Sequence, residues 1–129
     1  MFNNSQIKTS IKKYILIVED DEINQSILVE FLQYDYEITT ANNGEECISS
    51  VNEHLPDLIL LDIMMPVMDG YEVIKSCRND PKYKDIPIIV VSAMATKEEK
   101  QVVYDLGVMD YITKPFEEEQ LFSTIKKYL

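Results

Sequence analysis

Five times along the chain a short apolar run of strand length is followed by apolar residues at helical spacing, and few folds accommodate that alternation. Tyr14–Val18 and Leu58–Leu61 are almost wholly apolar, as strands covered on both faces should be. Residues 36–41 alternate and read as a strand nearer an edge, and residues 86–91 and 109–113 supply a fourth and a fifth. After the first strand, Ile23, Ile27, Leu28, Phe31 and Leu32 recur with helical spacing. Asn43-Gly44-Glu45-Glu46 opens a second helix, with an Asn cap and a Glu three residues later. Asp69-Gly70-Tyr71-Glu72 opens a third by the same logic, after a loop over residues 63–68 that contains Pro66, and Val73, Ile74 and Cys77 form its inner face. Thr96-x-x-Glu99 is a capping box, Gly107 stands where a left-handed cap closes the fourth helix, and Pro115 precedes a last helix with Leu121, Phe122, Ile125 and Leu129 turned inward. Strands separated by helices of this length predict an α/β domain, a doubly wound parallel sheet with helices on both faces.

The chain has 129 residues, room for one such domain over residues 13–129 after a loose tail over 1–12. No apolar run approaches the roughly 20 residues a membrane span needs, and the first apolar stretch is too short for a signal peptide, so a cytoplasmic protein with no membrane partner is expected. A formal charge of −11 argues against nucleic acid as a direct partner, because phosphates would be repelled. Cys47 and Cys77 stand in no metal or redox spacing and read as two reduced core thiols. His54, the only histidine, lies in a loop before Pro56 and reads as a bystander. Three glycines leave no Gly-rich loop to cradle a nucleotide phosphate.

In doubly wound sheets ligands gather at the carboxyl ends of the strands, which directs attention to the residues there. Glu19, Asp20 and Asp21 follow the first strand, Asp62 the third, Ser92 the fourth and Lys114 the fifth. Carboxylates crowded at one sheet edge repel one another unless something positive sits among them. A hard divalent cation with oxygen ligands meets that need. Acids, a hydroxyl and a lysine together also make a phosphoryl-transfer site, with a carboxylate as nucleophile. Singly each residue has a bland reading: a helix N-terminus, a loop acid, a cap, a surface charge. Their joint placement at four strand ends is much harder to dismiss.

Four segments carry a family resemblance. Ile15-Leu16-Ile17-Val18-Glu19-Asp20-Asp21 resembles the opening of response-regulator receiver domains, and Asp57-Leu58-Ile59-Leu60-Leu61-Asp62-Ile63-Met64-Met65-Pro66-x-Met68-Asp69-Gly70 their phosphoacceptor segment. Val90-Val91-Ser92-Ala93 is similar to their hydroxyl segment, and Gly107-x-x-Asp110-Tyr111-x-x-Lys114-Pro115-Phe116 to their lysine segment. The likeness runs in order along nearly the whole chain, and four motifs in register are far more specific than any one of them.

The resemblance implies a flavodoxin-like strand order, 2-1-3-4-5, and a signalling domain that catalyses only its own aspartyl phosphorylation and dephosphorylation. It makes Asp62 the phosphoacceptor. Mg²⁺ or Mn²⁺ would be held by Asp20, Asp62 and the backbone carbonyl of Met64, with Glu19 acting through water. Ser92 and Lys114 would bind the phosphoryl group, and Tyr111 would be the aromatic switch. For that ring the bland alternative is a half-buried strand tyrosine with its hydroxyl in water. Met64 and Met94 occupy the two variable positions that tune phosphoryl lifetime, Asp21 only starts a helix, and Lys114-Pro115 is expected to be cis. A histidine kinase or histidine phosphotransfer protein would be the phosphodonor, and a downstream protein or output domain the target. Competing readings are a degenerate receiver that binds without being phosphorylated, and an aspartyl phosphatase, which would place a second Asp where Met64 stands. The resemblance leaves open a stand-alone regulator, a piece of a hybrid kinase or part of a larger regulator; Asp21-Glu22-Ile23-Asn24-Gln25 leans mildly toward hybrid kinases.

Overall fold

A computed structural model describes residues 12–64, 69–94 and 96–129; the expected tail up to residue 11 and the Pro66 part of the loop after Asp62 lie outside them. Strands β1 (Tyr14–Val18), β2 (Glu37–Ala41), β3 (Leu58–Leu61), β4 (Ile88–Ser92) and β5 (Asp110–Thr113) alternate with helices α1 (Glu22–Leu32), α2 (Gly44–Glu53), α3 (Gly70–Asn79), α4 (Lys97–Leu106) and α5 (Glu118–Lys126). The sheet is parallel, in the order β2-β1-β3-β4-β5. The chain reverses its direction of strand addition after β2, so the switch point lies between β1 and β3.

Strand side chains alternate between two cores. Leu16, Val18, Ile59, Leu61, Ile88, Val90 and Tyr111 pack with α2, α3 and α4, where Cys47, Val51, Val73, Ile74, Cys77 and Val103 are buried. Ile15, Ile17, Leu58, Leu60, Ile89, Val91 and Ile112 pack with α1 and α5, against Leu28, Leu32, Leu121 and Ile125. Both thiols are free and buried, and burial pushes that of Cys47 up to about 12.

The expected caps form. Asn43 accepts from Glu46 N at 2.9 Å, Asp69 from Glu72 N at 3.0 Å and Asp21 from Ile23 N at 3.3 Å. Gly107 closes α4 at φ 109°, a conformation that favours glycine. Several boundaries and orientations differ from expectation. The fourth strand begins at Ile88 rather than 86, since Pro87 has no N–H to donate, and runs on to Ser92, which pairs with Thr113. Of the apolar residues spaced along α1, Leu28 and Leu32 are buried, but Ile23 is 70% exposed and Ile27 is also exposed. The apolar stripe of α1 is wider than the face the sheet can cover. Phe122 and Leu129 are half-buried at the margin of the second core.

Candidate functional site

Parallel register brings the strand ends level, and backbone bonds carry the ladder one residue further. Glu19 N donates to Ala41 O at 3.0 Å, Asp62 N to Val18 O at 3.0 Å, and Lys114 N to Ser92 O at 2.8 Å. The backbones of Glu19, Asp62 and Lys114 are therefore as firmly placed as the strands. Gly70 sets the loop beyond Asp62: its N–H donates to Ile63 O at 3.0 Å, and a Cβ there would meet Ile63 Cα at 2.4 Å. Only glycine lets the start of α3 approach Ile63 so closely.

The side chains converge on this edge. Ligand oxygens of Glu19, Asp20 and Asp62 lie within 4.8 Å of one another. Glu19 is 2% exposed and Asp62 8%, whereas Asp20 faces solvent. Lys114 Nζ stands 2.7 Å from Glu19 Oε1 and 3.6 Å from Asp62 Oδ2. Two buried carboxylates thus share one lysine, with a third, exposed one beside them. Burial raises Glu19 to about 7; the Lys114 bond opposes this rise and the Asp62 charge adds to it. Burial pulls Lys114 down, but Glu19 and Asp62 outweigh it and its pKa is raised.

The donors divide unequally. Both Glu19 oxygens are engaged, Oε1 by Lys114 and Oε2 by Asp21 N at 3.2 Å. Asp62 Oδ1 accepts from Met64 N at 3.0 Å. Among the described residues no donor reaches the Asp20 carboxylate. An oxygen-rich edge with one free and one half-free carboxylate suits a hard cation that keeps several waters and takes one or two carboxylates. The residues fit Mg²⁺.

Ser92 is buried and its Oγ accepts from Met94 N at 3.2 Å. Tyr111 does not keep its hydroxyl in water: the ring is 8% exposed and the hydroxyl donates to Met94 O. Burial pushes this phenol up, and the Ser92 hydroxyl beside it pulls partly back. Met64 is 58% exposed next to Asp62, and Met94 packs partly buried against the first core. The Lys114–Pro115 peptide is cis. His54 stacks on Tyr14 near the start of β1, ring centroids 4.5 Å apart, away from the carboxylates. Asp21 only caps α1 and lends its N–H to Glu19.

Sequence reasoning missed Gln25, whose Nε2 donates to Glu19 O and to Asn42 Oδ1, each at 3.0 Å, tying α1 to the two strand ends beside it. A polar residue in the second turn of an amphipathic helix gives no warning of that.

Residues 15–126 match the response regulator receiver domain. The chain belongs to that family. Among similar proteins, the polar-differentiation response regulator DivK of Brucella anthropi is 37% identical over 118 residues, 91% of this receiver and 96% of the relative. The chemotaxis protein CheY4 of Vibrio cholerae superposes with TM-score 0.87 at 31% identity, covering 92% of this receiver and 100% of that chain. The receiver domain of a Pseudomonas aeruginosa sensor histidine kinase, solved with a magnesium ion coordinated in its active site cleft, superposes with TM-score 0.84 at 28% identity, covering 92% and 98%. The fold is therefore that of two-component signalling domains, and among the described residues no helix is long and apolar enough to cross a membrane.

Proposed function

We propose that this receiver takes a phosphoryl group onto Asp62 from the phosphohistidine of a histidine kinase or histidine phosphotransfer protein in the cytoplasm. The observation that carries this is the cluster of Glu19, Asp20 and Asp62 at one sheet edge, with the Lys114 ammonium paired to Glu19 and Asp62. A carboxylate oxygen of Asp62 attacks phosphorus, the P–N bond breaks, and its electron pair returns to the imidazole nitrogen. Lys114 is already within reach of both Glu19 and Asp62, so its charge can pass to the incoming phosphoryl oxygens with little movement. Ser92 Oγ accepts from Met94 N, which leaves its own proton free to donate. Asp20, Asp62 and the Met64 carbonyl, with Glu19 through water, would hold a divalent cation, Mg²⁺ or Mn²⁺, which would supply positive charge to the transferring group.

Loading would draw Ser92 and Lys114 inward and settle Tyr111, biasing two pre-existing arrangements of the face formed by α4, β5 and α5. That face would then engage a downstream protein or output domain. Met64 and Met94 flank the site and set the lifetime of the acyl phosphate: neither side chain can orient an attacking water by strong hydrogen bonds, and both can shield the phosphorus. Incubation with acetyl phosphate and Mg²⁺ tests the reading, with one added phosphoryl group per chain expected by mass. No incorporation with metal present overturns it.

A further inference from the structure

Tyr111 lies on the strand row that faces α2, α3 and α4, and three things hold its ring there. The apolar core surrounds it, Met94 O accepts from its hydroxyl, and Lys100 Nζ stands over the ring, 5.4 Å from the centroid. The first two accompany many buried tyrosines. The third is particular to Lys100. Its place is set by the first turn of α4, where Thr96 Oγ1 accepts from Glu99 N at 3.2 Å and donates to Glu99 Oε1 at 2.9 Å. In a chain with 23 acidic residues, Lys100 makes no ion pair among the described residues; those found belong to Lys114 and Lys127. Its ammonium is matched to an aromatic face instead.

Tyr111 in turn is joined to the candidate acceptor site by one residue. Met94 accepts from Tyr111 through its carbonyl and donates to Ser92 Oγ through its N–H. We propose that Lys100 is a positioning residue for the Asp62 site, its ammonium clamping the Tyr111 ring inward so that Met94 holds Ser92 with its hydroxyl proton free to donate. This rests on the reading of Asp62 as acceptor. If binding at Asp62 favours the inward ring, a contact that shifts the ring inward raises the affinity of the Asp62 site by up to the factor of that shift. A cation–π contact at a partly exposed site shifts such a balance by about two- to fivefold.

The experiment uses two readouts on the full chain: the ring resonances of ¹³C-labelled Tyr111, and beryllofluoride affinity measured with Mg²⁺. Lys100→Met keeps the stem and removes the charge. It should move the ring resonances toward those of a solvated tyrosine and weaken beryllofluoride by up to about fivefold. Lys100→Arg, which stacks on aromatic faces, should restore both. In a Tyr111→Leu background, Lys100→Met should change the affinity no further. Unmoved ring resonances, equal weakening in both backgrounds, or no rescue by arginine would each overturn the proposal. A native chain that binds no beryllofluoride refutes the acceptor reading instead, and the ring resonances then still decide whether Lys100 holds Tyr111.

Discussion

The two ends of one sheet are built on opposite electrostatic terms. At the amino end Tyr14 N donates to Asp57 Oδ2 at 2.7 Å and Asp57 N returns a bond to Tyr14 O at 2.8 Å. Lys12 Nζ donates to Tyr34 O at 3.1 Å, and the Tyr14 ring stacks on His54. Among the described residues there, Asp57 is matched to a backbone N–H and belongs to no cluster of acids. At the carboxyl end Glu19 and Asp62 are buried beside Asp20, with one lysine among them. A buried charge is tolerable only when paired, and here two buried acids share one cation. The contrast teaches where the fold spends stability. The amino end carries its own partners, and the carboxyl end is the one that the proposed cation and phosphoryl group would complete.

The largest test of that contrast removes one aspartate from each end. Asp62→Ala should abolish labelling by acetyl phosphate, while Asp57→Ala should label fully. The second variant should instead lose about 1 kcal/mol of stability in urea unfolding, the worth of one hydrogen bond to a backbone N–H. Labelling that survives Asp62→Ala would end the comparison.

Next in size is the response to metal. Mg²⁺ that binds only the folded chain at 100 times its dissociation constant should add about 2.7 kcal/mol of stability, read by calorimetry as a higher Tm. Asp20→Asn should remove most of that gain, Asp57→Ala none of it, and EDTA should reverse it.

A smaller effect concerns the rim of the charged end. Replacing Met64 by Asn or Met94 by Glu should speed loss of phosphate from the loaded chain by about tenfold, or ~1.4 kcal/mol of barrier. The decay after donor removal measures this, and a short lifetime untouched by either change would take the methionines out of the account.

Near neutrality the smallest effect comes from the interior between the two ends. The Cys47 thiol keeps its proton to about 12 when folded, against an ordinary value of 9.0. Above pH 9 the unfolded chain's thiol therefore binds fewer protons than the folded one's, so the Cys47 contribution to stability should fall as pH rises through that window and stay flat below it. Cys47→Ala should flatten the alkaline limb of a pH series of urea melts.

Much of this architecture was readable from local pattern. The five strand-helix alternations, the caps at Asn43, Asp69 and Thr96, and the αL glycine at Gly107 depend on neighbours within a few residues, and each appears where the spacing placed it. Asp62, Ser92 and Lys114 were legible as strand-end residues, because parallel strands bring their ends to one edge whatever the details. The misses share a cause. Ile23 and Ile27 follow the helical period yet stay exposed, since periodicity defines a face but not how much of it the sheet covers. Gln25 and Lys100 look like ordinary polar helix positions until the partners that use them are in place.

By itself, then, the amino-acid sequence determined which chemical groups stand at the carboxyl edge, because strand length and direction follow from local hydrophobicity and the groups come next in the chain. It could not determine how they divide one another's charge. That Lys114 sits 2.7 Å from Glu19 and 3.6 Å from Asp62 pairs residues 95 positions apart in the first case. The Tyr111 hydroxyl likewise reaches back to Met94, where the bland alternative left it in water. Such partners are chosen by sub-ångström differences in register and packing after the sheet has assembled. Only the tertiary structure holds that information, because electrostatic and hydrogen-bond energies depend on distances that sequence spacing does not encode.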